Sequence, residues 1–119
     1  MTRDVTESRI AVADSLRDGD GVRFRVTLDG LAYDAFAVRW RGRVHAYVNM
    51  CRHQSLPLDF GDARFFDEEF DALVCCHHGA RYAPDTGRCV DGPCEGASLT
   101  ALAVEQRGAD LWCTGRARS

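Results

Sequence analysis

The chain has no uninterrupted apolar run approaching the roughly 18 residues that a membrane span requires, so no membrane association is expected. Its opening stretch, MTRDVTESRIAVADSLRDGDG, is studded with Arg3, Asp4, Glu7, Arg9, Asp14, Arg17 and Asp18. That leaves no apolar core for a signal peptide and points to the cytoplasm. No Lys/Arg-rich block occurs and the formal net charge is −3, so the phosphate-neutralising surface of a nucleic-acid binder is missing and nucleic acid is not expected as a partner. Sustained helical periodicity, internal repeats and low-complexity segments are also absent. Proline is scarce, and all three prolines fall between residues 51 and 96.

What remains is 119 residues, 45% of them hydrophobic, enough for one core and one domain spanning residues 1–119. Six cysteines in a reducing compartment suggest metal binding or redox chemistry rather than a disulfide framework.

Short alternations dominate both ends of the chain. Val22, Phe24, Val26 and Leu28 recur every second residue, as on one face of a strand, and the Asp29-Gly30 pair follows as a turn. Phe36, Val38 and Trp40 then share a face, Arg41-Gly42 turns, and Val44, Ala46 and Val48 alternate against His45 and Tyr47. LTALAVEQ and DLWCTG, separated by RGA, read as a closing hairpin. Between them, from about residue 50 to 96, loops prevail, with short strands expected at DALVCC, ARYA and RCV. The expected fold class is all-β, a sheet framework carrying a loop-rich insert that holds the chemistry.

That insert contains two mixed pairs. CRH places Cys51 two residues before His53, and CCHH places Cys75 three residues before His78, followed by Gly79. Each pair begins where a strand ends, so two hairpin-like loops can present two thiolates and two imidazoles to one site. Such a donor set suits zinc or iron. C2H2 zinc fingers give the cysteines first and the histidines from a following helix, whereas here each loop gives one of each. A Rieske centre uses that mixed arrangement, with two cysteines on one iron of a [2Fe-2S] cluster and two histidines on the other.

CRHQSLPLD at 51–59 and CCHHGARYAPDTG at 75–87 resemble the two cluster-binding boxes of the Rieske domain family, C-x-H and C-x-x-H-G. The likeness extends to FAVRWRGRVHAYVNMC before the first box and LTALAVEQRGADLWC after the second, and is closest to the Rieske-type ferredoxins. The resemblance implies a Rieske-like β-sandwich with a cluster-binding subdomain at about residues 50–96. It further implies a [2Fe-2S] cluster held by Cys51, His53, Cys75 and His78, with Gly79 allowing close backbone approach and Pro57 covering the cluster.

Two departures from the family pattern carry information. His53 and Cys75 are separated by 21 residues (54 to 74), a few more than usual, and the excess is placed in ARFFDEEFDA as a surface excursion. High-potential members carry an extra cysteine in each box, joined as a disulfide, where this chain has Leu56 and His77. They also place a serine after the glycine, where this chain has Ala80, and a tyrosine two residues later, which Tyr82 retains. Loss of one hydrogen-bond donor to the cluster implies a potential in the lower part of the Rieske range.

Cys76 and His77 fit neither box and read as loop residues, His77 being a candidate for docking a redox partner. Cys89 and Cys94 either bridge or, as suits a cytoplasm, pack as thiols. Cys113, Trp40 and Trp112 are expected in the core and His45 on an exposed strand face. The acidic run Asp67, Glu68, Glu69 and Asp71 is expected to be a solvated loop that helps steer a basic reductase.

The implied function is electron transfer in single steps from a flavin reductase to a terminal enzyme such as an oxygenase, without a catalytic centre of its own. After the cluster pair only His45 and His77 remain, too few for the two-histidine, one-carboxylate iron site of an oxygenase. Oxidation of the cluster is expected to acidify the ring N–H of His53 and His78, coupling reduction to proton uptake at alkaline pH. The alternatives are an accessory or redox-sensing subunit of a larger reductase, similar to a nitrite reductase small subunit, and a zinc-stabilised binding module.

Overall fold

The computed structural model describes residues 5–50, 57–59, 61–67, 69, 71–75, 79–92 and 96–117. Ten strands are present among them: β1 (Val5–Thr6), β2 (Ser8–Val12), β3 (Gly21–Leu28), β4 (Leu31–Trp40), β5 (Arg43–Val48), β6 (Leu73–Val74), β7 (Arg81–Tyr82), β8 (Cys89–Asp91), β9 (Ala101–Arg107) and β10 (Asp110–Arg116). One 3-10 turn, Ala13–Ser15, is the only helical element among the described residues. The all-β expectation holds.

Seven strands form an antiparallel sheet in the order β1-β3-β4-β5-β9-β10-β2. The two outermost strands are consecutive in the chain: Val5 and Thr6 pair with β3, and after Glu7 the chain crosses to pair Ser8–Val12 with β10. The sheet is thereby curled, with one N-terminal segment along both of its edges. The smaller sheet has the order β6-β7-β8.

The turns follow local chemistry. Asp29 and Gly30 have φ of 54° and 81°, and Arg41 and Gly42 have 51° and 81°, the two positive values that a two-residue hairpin with the right twist requires. The Arg41 guanidinium lies 4.2 Å over the Trp40 ring, and the Gly42 N–H donates to Asp18 Oδ1 at 3.0 Å.

Two cores lie on opposite faces of the large sheet, and β4 contributes to both. Ala35 and Ala37 face the first, with Val26, Leu28, Ala46 and Val48. Phe36 and Val38 face the second, with Tyr47, Leu73, Cys75 and Tyr82. The alternation in 22–28 and 44–48 therefore reports the first core, while the small sheet packs on the other face. Phe36 and Phe65 stack at 4.1 Å between ring centres, each burial contributing about 1.5–3 kcal/mol.

Three expectations are corrected. Among its described residues, 63–72 is not wholly a surface excursion: Arg64, Glu69 and Asp71 are exposed, but Phe65 is buried, the Val74 N–H donates to Phe65 O at 2.7 Å and the Asp67 N–H to Ala72 O at 2.9 Å. Phe66 bridges Leu73, so the segment folds back along β6 as a further short arm. Its close seat shows at Gly21, where a Cβ would stand 2.6 Å from the Phe65 ring and 2.7 Å from Ala63 O. Trp40 and Trp112 are half-buried rather than core, each covered by an arginine, with Arg107 5.5 Å over Trp112. His45 is half-buried rather than exposed, sharing a small cavity with Asp85, Ala101 and Val104. Cys113 is in the first core as expected.

Asp67 is likewise no freely solvated acid. Its side chain is 7% exposed and pairs with Arg81, while Oδ1 accepts the Asp71 N–H at 2.8 Å and the Ala72 N–H at 3.3 Å. Glu68 lies outside the described residues. Burial pushes the Asp67 pKa up, but the two amide hydrogen bonds and Arg81 outweigh it and the net shift is downward from 3.8. A depressed folded-state pKa means that Asp67 contributes stability above its unfolded pKa and loses it as pH falls through the folded value. Asp67→Asn is therefore expected to cost about 1–3 kcal/mol at pH 7. In thermal melts from pH 7 to pH 2 the two proteins should converge as pH falls; a gap independent of pH would contradict the ion pair.

Candidate metal centre

The second box begins where β6 ends. Cys75 is fully buried, its N–H donates to Ala80 O at 2.8 Å, and its carbonyl accepts the Gly79 N–H at 2.9 Å. The loop is thus closed at its base by backbone bonds to both the N–H and the carbonyl of Cys75, which fix the backbone from which its side chain starts. Gly79 has φ of 72°, and among the described residues no atom lies within 4 Å of where its Cβ would stand. The left-handed turn itself therefore favours glycine here. Cys76, His77 and His78 lie outside the described residues.

The first box starts from the end of β5. The Val48 N–H donates to Thr100 O at 3.0 Å, the Asn49 N–H to Asp34 O at 2.8 Å and the Met50 N–H to Val48 O at 2.9 Å. Cys51, His53 and Leu56 lie outside the described residues. Pro57 is half-buried and lines a cleft with Tyr33, Asn49 and Met50, at the root of the loop. The structure therefore describes one of the four candidate ligands, and among the described residues no three His, Cys, Asp or Glu side chains gather as a metal site.

The surroundings of Cys75 suit a soft-metal centre. Leu58, Ala80, Tyr82 and Cys89 are all at most 1% exposed in the same core, and Tyr82 is paired with Leu73 on one side and Cys89 on the other. A cysteine with a fixed backbone in a shell shielded from water fits a candidate cluster ligand, since the shell around a metal site controls solvent access. Cys89 packs in this core, its Sγ 3.3 Å from Asp91 O; Cys94 lies outside the described residues.

Sequence patterns did not single out Gly92. Its φ is 101° and a Cβ there would stand 2.9 Å from Ala80 Cα, so the segment after β8 presses on the backbone of the second box. An Asp-Gly pair after a strand was the available signal, but it reads only as a turn.

His45 belongs to a different neighbourhood. It shares a cavity of about 170 Å³ with Tyr47 and Asp85. Burial lowers its pKa, Asp85 opposes this and Arg43 adds to it, so the ring is neutral at pH 7. Tyr47 donates to Pro84 O at 2.7 Å, and burial, then Asp85, push its pKa up. A cleft of about 710 Å³ is lined by Asp18, Asp20, Gly21, Asp62 and Phe65 among others, with no cysteine or histidine among its described lining residues.

The family model for the Rieske [2Fe-2S] domain matches residues 7–106. This chain belongs to the Rieske [2Fe-2S] domain family. The cofactor of such a domain is a Rieske-type [2Fe-2S] cluster. Among solved structures, the Rieske domain is similar to the ferredoxin of carbazole 1,9a-dioxygenase from Nocardioides aromaticivorans IC177. The two are 29% identical with a TM-score of 0.73, covering 92% of this chain and 98% of that one. It shares its fold with the terminal oxygenase of carbazole 1,9a-dioxygenase from the same organism, at 20% identity and a TM-score of 0.77. There the match covers 98% of this chain but 32% of the oxygenase. A similar fold occurs in a complex of reduced oxygenase and oxidised ferredoxin in carbazole 1,9a-dioxygenase, at 19% identity and a TM-score of 0.74, covering 95% of this chain and 96% of that one. Comparison with curated protein sequences gives no significant match. Among the described residues of the Rieske domain, no helix is long and apolar enough to cross a membrane.

Proposed function

We propose that this Rieske domain is an electron-transfer ferredoxin that receives single electrons from a flavin reductase and passes them to a terminal oxygenase in the cytoplasm. The observation that carries this reading is the similarity to a ferredoxin over 92% of this chain and 98% of the other. Cys51, His53, Cys75 and His78 hold the cluster, and residues 1–119 act as one domain with the cluster-binding part at about 50–96. When bound, the cluster takes up and gives up one electron. The chain's own contribution is to fix the Cys75 backbone through the bonds with Ala80 and Gly79 and to keep water from it with the second core. With no donor at Ala80, it also stabilises added negative charge less than a serine would.

The test is a rapid-mixing experiment with the purified, reduced protein and the oxygenases encoded in its source genome. The expected result is reoxidation of the ferredoxin by at least one of them, coupled to substrate turnover. Failure with every candidate, together with fixed-stoichiometry co-purification with a large reductase chain, would overturn the free-carrier reading.

A further inference from the structure

We infer that Asn49 and Asp59 are positioning residues for the cluster, a side-chain clasp that fastens both ends of the loop carrying Cys51 and His53; this rests on the ligand assignment proposed above. Both residues are buried, at 5% and 2% exposure, and they are bonded to each other. The Asn49 Nδ2 donates to Asp59 Oδ1 at 3.1 Å, and Asn49 Oδ1 accepts the Leu58 N–H at 2.8 Å. Both faces of the Asn49 amide are thereby used to hold the far end of the loop, residues 58 and 59, against the end of β5.

The clasp is tied into the framework on both sides. The Asn49 N–H donates to Asp34 O at 2.8 Å in β4. Asp59 Oδ2 accepts the Ala63 N–H at 2.9 Å and lies 3.8 Å from Arg23 Nε in β3. One carboxylate thus joins the first loop, the arm that follows it and the large sheet. Burial of polar groups is unfavourable unless they are paired, so loss of one of these bonds leaves a buried group unsatisfied and weakens the others. A pattern that placed polar residues there only for stability would not require them to bracket residues 50–57, the stretch containing both ligands of the first box.

The experiment compares wild type with Asn49→Ala and Asp59→Asn, and with Leu111→Ala, which removes a first-core side chain and serves as a destabilised control. Thermal unfolding, iron release to a chelator, the reduced-state EPR spectrum and the reduction potential are measured on each. Asn49→Ala is expected to lose iron roughly tenfold more readily, as outer-shell substitutions do, and its remaining cluster to show shifted or broadened g values and a changed potential. Asp59→Asn, nearly the same shape, keeps an acceptor for Asn49 but sets an NH2 donor where Oδ2 accepted the Ala63 N–H, and loses the charge beside Arg23. It should fold and show a smaller change in the same readouts. Leu111→Ala should melt earlier while keeping the wild-type spectrum and potential. Wild-type spectra and release rates in both loop variants would overturn the clasp alone, whereas a wild-type protein without a [2Fe-2S] EPR signal would overturn the ligand assignment beneath it.

Discussion

A Cys75→Ser variant is expected to purify folded but colourless, with iron, acid-labile sulfide and visible absorption lost almost completely. Serine is close in size, and the bonds that close the loop come from the backbone, Cys75 N–H to Ala80 O and Gly79 N–H to Cys75 O, so the fold around position 75 should persist. What disappears is the soft sulfur donor, for which a harder and far less acidic hydroxyl is a poor substitute in an iron–sulfur cluster. Far-UV circular dichroism should stay within error of the cluster-free wild type, because the first core and the curled sheet are built from residues elsewhere. Full iron content with an unchanged EPR signal would remove Cys75 from the ligand set.

The reduction potential of the wild-type protein is expected below about 0 mV, in the lower part of a Rieske range of about −150 to +300 mV, and Ala80→Ser is expected to raise it. Ala80 is fully buried and its carbonyl is engaged by Cys75. A hydroxyl placed there has no water to turn to and must find an acceptor nearby; a cluster sulfur is the acceptor the family resemblance implies. Tyr82, also fully buried, stays in place in both proteins. Spectroelectrochemical titration of the two decides the matter. A wild-type value near +300 mV would contradict the low-potential assignment, and an unchanged value in Ala80→Ser would show that the hydroxyl bonds elsewhere.

The framework was legible because strand periodicity is a local property. Val26 and Leu28 alternate with polar neighbours, and Asp29-Gly30 and Arg41-Gly42 turn as their chemistry demands. The family was legible because its pattern restricts both residue type and spacing. Long-range packing was not. Phe65 looked like part of a surface insertion since its partner, Phe36, lies 29 positions away (65 − 36) on the far face of β4. His45 reads as exposed because nothing local announces that Asp85 and β9 will close over it. Hydropathy alone puts Trp40 and Trp112 in the core because it does not register a guanidinium lid. Asn49 and Asp59 escaped for the opposite reason, since polar residues in a loop read as surface until their partners are visible.

The N-terminal segment that lies along both edges of the seven-stranded sheet bears on how this molecule meets others. A bare strand edge is an adhesive surface, able to recruit the edge of any neighbouring sheet into a continuous ladder. A protein that delivers electrons must touch its partners briefly and let go, many times over, at whatever concentration the cell maintains. Lining the large sheet's outermost positions with a few residues from the chain's own beginning leaves fewer backbone groups there to prolong an encounter. Removal of residues 5–12 would then show itself first as self-association and slowed turnover, before any change in the iron site.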